Sequence, residues 1–330
     1  MKLAIQEAWK YQLLTYPNPA VGATVISNNK ILSVEAHKEA GKSHAEVLAL
    51  KQAYLTSYPN SELINIEDSS DIHDYLIKNH NGFFHNCEIY VTLEPCNHIG
   101  KTPACAMLLE AIKIKKVYIG TLDPNKNATG GLQRLKNANI EVEIDVCKNE
   151  TDKLLAPFLK YQSGHFIFFK IAMRKDGSVT GGYITTQDSL SLVHNIRTKL
   201  DLMVIGGNTV RIDRPKLDAR FSTTGKSPDI MIFSSLKSFD TNIPLFTIPN
   251  REVTISSSLD MVEKKNFVMI EGGYTLLSKL KNNIDYLMVF LSHKEQSNDN
   301  ALAQFSDFQI EYSYFLNKYD EVIFLKKIND

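Results

Sequence analysis

Four residues carry most of the chemistry legible in this 330-residue chain: His44 and Glu46 in "SHAEV", and Cys96 and Cys105 in "TLEPCNHIGKTPAC". The chain has only four cysteines, and two so close together admit three readings. They are a disulfide, a pair of buried thiols, or two ligands of a metal ion. A catalytic zinc usually takes three protein ligands and keeps a further position for water. Histidine can supply the third ligand, and of the nine present His44 is the one set beside a carboxylate in a suggestive pattern. His-x-Glu followed by Pro-Cys and a second Cys is the order of the zinc deaminases, whose Glu moves protons and is not a ligand. The departure lies in the spacing, since eight residues separate Cys96 from Cys105 in place of the shorter Cys-x-x-Cys.

Plainer readings compete with this one. Ser43 to Glu46 also fits a capping box, with Ser43 at the N-cap and Glu46 three residues on. Positions i and i+2 do not share a helix face, so spacing alone does not aim His44 and Glu46 at one point. Cys96, however, follows a strand end, and Cys105 falls in the first turn of a helix, where the thiolate that binds metals is favoured. A disulfide is the weakest reading for a chain read as cytoplasmic. "MKLAIQEAWKYQLL" is amphipathic and lacks the unbroken apolar run of a signal peptide. No stretch approaches the length of a membrane span. Lys plus Arg equal Asp plus Glu at 37 each, which argues against a polyanion-binding surface and so against nucleic acid as a partner.

The elements that must position these residues follow from pattern. Residues 21–26 and 30–36 flank "SNN" and read as a β-hairpin. "GKSHAEVLALKQAYL" reads as a helix with an apolar stripe of Ala45, Val47, Leu48 and Leu55. Residues 57–86 are polar and long for a connection, either an insertion holding a short helix near 71–79 or a mobile loop. "CEIYVTLE" is a strand, and Thr102-Pro103 is expected to start the next helix. "KVYIG", a helix from about Gly131 and "IEVEIDV" complete an α/β unit ending near Cys147, with "TDKLLAPFLKYQSG" as a linking helix. This gives two domains, 1–147 and 148–330. In the second, "HFIFFKIAM", "LMVIGG", "DIMIFSS", "EVTISS", "FVMIEGG" and "IDYLMVFLS" alternate with helical patterns, implying a sheet covered on both faces. Two strand ends share the form Gly-Gly-x-Thr, at Gly206–Thr209 and Gly272–Thr275, where backbone can approach a phosphate.

"TYPNPAVGATVI", "AGKSHAEVLAL", "VTLEPCNHIGKTPAC" and "TLDPNKNATGGLQRLKNANIEV" together resemble the deaminase half of the bifunctional riboflavin-biosynthesis deaminase/reductases, which share the long cysteine spacing. The resemblance covers nearly all of residues 1–147. It implies a cytidine-deaminase-like three-layer α/β/α domain in which His44, Cys96 and Cys105 hold Zn2+. Such a zinc lowers the pKa of a water toward neutrality. The hydroxide would attack C2 of 2,5-diamino-6-(5-phosphoribosylamino)pyrimidin-4-one while Glu46 passes a proton to the departing ammonia. Asn18, His37, Lys101, Thr102, Asp123 and Asn125 would line the substrate pocket, although Asn18-Pro19 and Asp123-Pro124-Asn125 are also good turn formers.

"FFKIAMRKDG", "YITTQ", "NIRTKLDLMVIGGNTVRIDRPKLDAR" and "FVMIEGGYTLLSKL" resemble the reductase half, whose fold is similar to dihydrofolate reductase. The resemblance implies NADPH held by Ala172, Tyr183, Thr209, Asp213, Ser234 and the run Gly273, Tyr274, Thr275, Leu276, Leu277, Ser278 and Lys279. Arg197, Leu217, Arg220 and Glu271 would hold the phosphorylated sugar, with Lys170 near its reacting carbon. Departures stand at Arg174-Lys175, where the family usually has Ser-Leu, at Gly181 in place of Ser, and at Arg214 in place of Asp. The segment before "YIT" is short. The rival to a bifunctional enzyme is therefore a deaminase with a non-catalytic binding or dimerisation module. A base deaminase and a zinc-stabilised non-enzyme fit less well. Paired catalytic domains in the family imply a homodimer or larger assembly.

Overall fold

The computed structural model describes residues 1–98, 100, 102–125, 129–222, 224–294 and 301–328. It divides into two units, Met1–Phe158 and Leu159–Asp330, and the division falls inside α6 (Lys148–Gln162), the segment read as a linking helix.

The first unit runs α1 (Lys2–Trp9), β1 (Gly22–Ser27), β2 (Lys30–Ala36), α2 (Ala45–Ser57), α3 (Ser69–Asn79), β3 (Cys87–Leu93), α4 (Cys105–Ala111), β4 (Lys116–Thr121), α5 (Gly131–Asn137) and β5 (Glu141–Glu143), ending in α6. The hairpin forms as expected, because Asn28 and Asn29 take the left-handed φ of 49° and 62° that a tight two-residue turn requires. The sheet order is β2-β1-β3-β4-β5; β1 is antiparallel to both neighbours, and β3, β4 and β5 are parallel. Alternation along β1 sends Ala23 and Val25 into the core shared with α2. Gly22 faces the other way, where a Cβ would sit 2.0 Å from the Ala4 carbonyl oxygen of α1. A Cβ on Gly120 of β4 would likewise meet Thr151 of α6 at 2.4 Å. Helices therefore cover both faces in three layers.

Helix α2 uses the expected stripe in part, burying Ala45 and Val47, and widens it with small residues. Its buried residues include Ala45, Ala49, Leu50 and Ala53, while Leu48 and Leu55 are only partly covered. Small side chains let α2 lie close on β1 and β2, a tertiary reason that periodicity does not carry. Residues 57–86 are a packed insertion and not a mobile loop. Two 3-10 turns, Glu62–Asn65 and Phe83–Asn86, flank α3, whose N-cap Asp68 accepts from the Ser70 and Asp71 N–H groups at 2.8 and 3.2 Å. Leu63, Ile72, Leu76 and Phe84 from this segment are buried in the common core, each contributing roughly 1.5–3 kcal/mol. Helix α4 begins at Cys105 with Ala104 as its N-cap, later than the Thr102-Pro103 start expected.

The second unit contains β6 (Phe166–Arg174), α7 (Gln187–Arg197), β7 (Leu202–Gly206), α8 (Gly207–Asp213), β8 (Asp229–Phe233), β9 (Val253–Ser256), β10 (Phe267–Glu271), α9 (Tyr274–Leu280), β11 (Tyr286–Ser292), β12 (Phe308–Phe315) and β13 (Asp320–Lys327). The order is β12-β13-β11-β6-β10-β7-β8-β9, with a parallel run from β11 to β9 and an antiparallel β12–β13 hairpin on one edge. That last hairpin is absent from the sequence reading. Both Gly-Gly turns do stand where a strand of this run passes into a helix, at β7–α8 and β10–α9. No helix among the described residues is long and apolar enough to cross a membrane.

Candidate active sites

In the first unit the chain brings three ligand atoms together from two helix starts and one strand end. His44 is the N-cap of α2, Cys105 opens α4, and Cys96 follows β3. The His44 Nδ1 lies 3.6 Å from Cys96 Sγ and 3.4 Å from Cys105 Sγ, and the three donor atoms fall within 4.8 Å of one another. A tetrahedral zinc with Zn–S of about 2.3 Å and Zn–N of about 2.0–2.1 Å sets N···S edges of roughly 3.5 Å, so the donor set fits that ion. The Cys105 side chain and its backbone N–H (3.4 Å) both face the Cys96 sulfur, and with His44 beside it that thiol is held well below its ordinary range. Cys105 is pushed up by the same contact and by its burial.

The capping box does not form. With His44 at the N-cap, Glu46 falls one position early, and Ser43 instead offers its carbonyl to His37 Nδ1 at 3.1 Å. Glu46 is buried at 3% exposure, and this burial lifts its carboxyl to about 7, the range in which a group can both take and give a proton. His37 is buried and held down to about 4 by desolvation, hence neutral. With its Nδ1–H on Ser43, its Nε2 accepts from Asn18 Nδ2 at 3.2 Å, which fixes the orientation of that amide. Thr102 is buried with its hydroxyl 3.4 Å from His44 Nε2, on the side of the ring away from the sulfurs. Lys101 lies outside the described residues. Asp123 accepts the Asn125 N–H at 2.8 Å, and burial pushes its carboxyl up.

Two positions that spacing could not reveal organise this rim. Glu94 is buried and accepts the N–H groups of Asp123 (3.2 Å), Gly130 (3.1 Å) and Leu132 (3.0 Å), so one carboxylate holds the loop that carries Asp123 and the start of α5. Gly131 lies against the Pro95 carbonyl beside Cys96.

In the second unit Lys170 of β6 and Glu271 of β10 are register partners, joined at 3.2 Å. Arg197, at the end of α7, reaches the other Glu271 oxygen at 3.0 Å and the Asp218 carbonyl at 3.0 Å. Burial raises the Glu271 carboxyl, but the two cations outweigh it and hold the group at about 2. Arg197 is thus no solvated surface arginine, and its Nε is buried without a hydrogen-bond partner among the described residues. Arg220 pairs with the Asp218 carboxylate at 2.6 Å. Leu217 is buried at a left-handed φ of 53°. A polar cavity of about 390 Å³ opens beside Arg220 and Asp218, with Lys226 and Ser227 on its wall.

The glycine turns meet at the strand ends. A Cβ on Gly206 would touch the Leu276 side chain at 3.5 Å, and one on Gly207 would strike Ser234 at 2.7 Å. Thr209, Ser234, Gly273 and Leu276 therefore belong to one rim. Of the remaining run, Leu277 enters the core, Ser278 and Lys279 are exposed on the second turn of α9, and Thr275 is exposed on its first turn. Tyr274 instead ties Gly177 to Gln304, donating to the Gly177 carbonyl at 2.7 Å. Ala172 lies on β6 opposite Phe290 of β11, Asp213 ends α8, and Tyr183 is 76% exposed. The departures have structural partners. Arg174 donates to the Thr180 and Gly181 carbonyls at 2.7 and 3.2 Å, Gly181 needs its φ of 93°, and Arg214 pairs with Asp240 at 2.7 Å.

A buried glutamate beside a nitrogen-and-two-sulfur donor set, on a three-layer α/β/α unit, is the arrangement found in zinc-dependent hydrolytic deaminases. Residues 1–121 match the family described as the cytidine and deoxycytidylate deaminase zinc-binding region. Over 309 residues the chain is 35% identical to the riboflavin biosynthesis protein RibD of Aquifex aeolicus, covering 88% of this chain and 79% of that one. Among solved structures it is similar to a diaminohydroxyphosphoribosylaminopyrimidine deaminase/5-amino-6-(5-phosphoribosylamino)uracil reductase of Thermotoga maritima, with a TM-score of 0.63, 26% identity and 99% and 97% coverage of the two chains. Acinetobacter baumannii RibD matches at a TM-score of 0.62 and 25% identity, over 99% and 98% of the two chains. The chain belongs to the RibD family of riboflavin biosynthesis proteins. Its first unit contains the matched deaminase zinc-binding region, and its second is a separate α/β unit within the span matched to the relatives of that family.

Proposed function

We propose that this riboflavin-biosynthesis deaminase and reductase acts in two steps. The first removes the C2 amino group of 2,5-diamino-6-(5-phosphoribosylamino)pyrimidin-4-one. The second uses NADPH to reduce the ribosyl chain of the product to ribityl. The observation that carries the reading is the His44, Cys96 and Cys105 donor set with Glu46 buried against it. When bound there, zinc acts as a Lewis acid that lowers the pKa of a water toward neutrality. Glu46 takes the proton from that water and delivers it to the leaving amino group, a role typically worth about 10²–10⁴-fold. The Asn18–His37 pair, Thr102 and the loop held by Glu94 orient the pyrimidine and exclude bulk water.

In the second unit NADPH supplies the hydride, held on the glycine-turn rim by Thr209, Ser234 and the start of α9. A backbone cradle of this kind leaves room for a phosphate to approach the chain. Glu271, at the end of β10, holds Lys170 of β6 and Arg197 of α7 side by side. Arg220, next to the polar cavity, supplies a second guanidinium suited to a phosphate. This site favours a reductase over a passive module, because a dimerisation surface has no use for a desolvated carboxylate between two cations. We place the reaction in the cytoplasm, in keeping with four free cysteines, and in a homodimer or larger assembly. The test is ammonia release from the pyrimidine substrate by the zinc-loaded chain, followed by NADPH oxidation in the same cuvette. Ammonia without NADPH oxidation would leave the deaminase and remove the reductase.

A further inference from the structure

The resemblance and the family matches assign no role to His194, one turn before Arg197 on α7. It is buried at 4% exposure, and its two ring nitrogens face different parts of the second site. Nδ1 lies 3.3 Å from the backbone N of Phe221, and Nε2 lies 3.4 Å from Arg197 Nη1. A backbone N–H only donates, so Nδ1 must be the acceptor, and in a neutral ring the proton then resides on Nε2. Arg197 Nη1 is likewise only a donor, one of its two N–H groups going to the Asp218 carbonyl, and a neutral imidazole that accepts at Nδ1 offers it no acceptor at Nε2. The contact between His194 and Arg197 is therefore one of packing, while the contact to Phe221 is a hydrogen bond.

The ring also packs on the Phe221 ring at 4.8 Å between centroids, and the Arg220 guanidinium lies over that same ring at 5.0 Å. His194 thus touches Arg197 directly and reaches Arg220 through Phe221. The backbone supports the same link, because the Asp218 carbonyl accepts from Arg197 while the Asp218 carboxylate accepts from Arg220. We infer that His194 is a positioning residue that locks the 217–222 turn to α7 and so sets Arg197 and Arg220 as a pair for the sugar phosphate. This rests on the reading of the two arginines as the sugar-phosphate contacts. The ligand class is a phosphorylated five-carbon sugar, and the part played is prepayment of the ordering cost that binding would otherwise bear.

The test uses the full zinc-loaded chain in two measurements. One is the affinity for ribose 5-phosphate by calorimetry, which needs no hydride transfer. The other is KM and kcat for NADPH-dependent reduction of the deaminated substrate. His194→Ala is expected to weaken ribose 5-phosphate binding and raise KM by up to about tenfold, the upper range for one lost neutral hydrogen bond, with kcat little changed. His194→Asn places an acceptor near the Nδ1 position and is expected to recover most of the loss. His194→Gln, whose acceptor falls near Nε2, is not. Deamination by each preparation reports that the chain is folded and loaded. Unchanged affinity in His194→Ala, a fall in kcat with KM unmoved, or equal behaviour of the Asn and Gln variants would overturn the inference. Absence of NADPH-dependent reduction by the wild-type chain would instead remove the reductase reading, and the calorimetric comparison would still decide the role of His194.

Discussion

The Pro95 carbonyl oxygen lies 1.8 Å from the place where a Cβ on Gly131 would stand. The turn that presents Cys96 and the first residue of α5 are thus in direct backbone contact, and any side chain at 131 must push the metal-ligand turn away. Gly131→Ala is expected to lower stability by at least about 1–3 kcal/mol, the usual cost of overpacking, and to weaken zinc retention. Thermal unfolding and the zinc content after dialysis against a mild chelator measure both. Full zinc content with an unchanged melting temperature would show that the turn is free to move.

Glu46 touches the ligand set without belonging to it. Glu46→Gln keeps the shape of the side chain but can no longer take a proton. The variant should hold zinc at the wild-type ratio and lose deamination by about 10²–10⁴-fold. Metal analysis and ammonia release on one preparation separate the two effects.

Glu94 reaches the site only through the backbone it holds. Three N–H groups converge on its carboxylate, and an amide would turn its own donor toward one of them. Glu94→Gln is expected to cost about 1–3 kcal/mol, as for a buried polar group left unsatisfied. It should also raise KM for the pyrimidine while zinc stays bound. Steady-state kinetics beside metal analysis would detect this pattern, and loss of zinc together with activity would contradict it.

The Lys170–Glu271–Arg197 cluster predicts a pH dependence with a definite sign. The folded-state pKa of Glu271 is held at about 2, below its ordinary value of 4.5. A depressed carboxylate contributes stability that is fully present above the unfolded pKa and is lost as pH falls through the folded one. The wild-type advantage over Glu271→Gln in denaturant melts should therefore be constant above about pH 4.5 and fade towards pH 2. An advantage that persists undiminished at pH 2 would mean the pair is not ionised in the fold.

The ligands and Glu46 were legible because zinc chemistry demands particular residue types in a particular order, and order survives folding. The capping-box reading of Ser43 to Glu46 stayed open in the sequence because a capping box and a ligand at the N-cap share the same letters. Tertiary contact decides between them, through His37 on the Ser43 carbonyl. Residues 57–86 hid their packing because Leu63, Ile72, Leu76 and Phe84 come in short apolar groups separated by long polar stretches, too few in a row to set a clear helix or strand period. Glu94 and Gly131 had no sequence signal, since their partners are backbone atoms of distant segments. The β12–β13 hairpin escaped notice because β12, an edge strand, alternates apolar and polar residues and leaves half of them exposed, unlike the near-continuous apolar strands of the parallel run.

The most direct measurement is mass analysis of the products formed by the zinc-loaded chain from the diaminopyrimidinone ribosyl phosphate, with and without NADPH. The expected result is the deaminated ribosyl compound alone without NADPH, and the deaminated ribityl compound when NADPH is present. A deaminated product that stays ribosyl in both tubes would contradict the claim of two working sites in one chain.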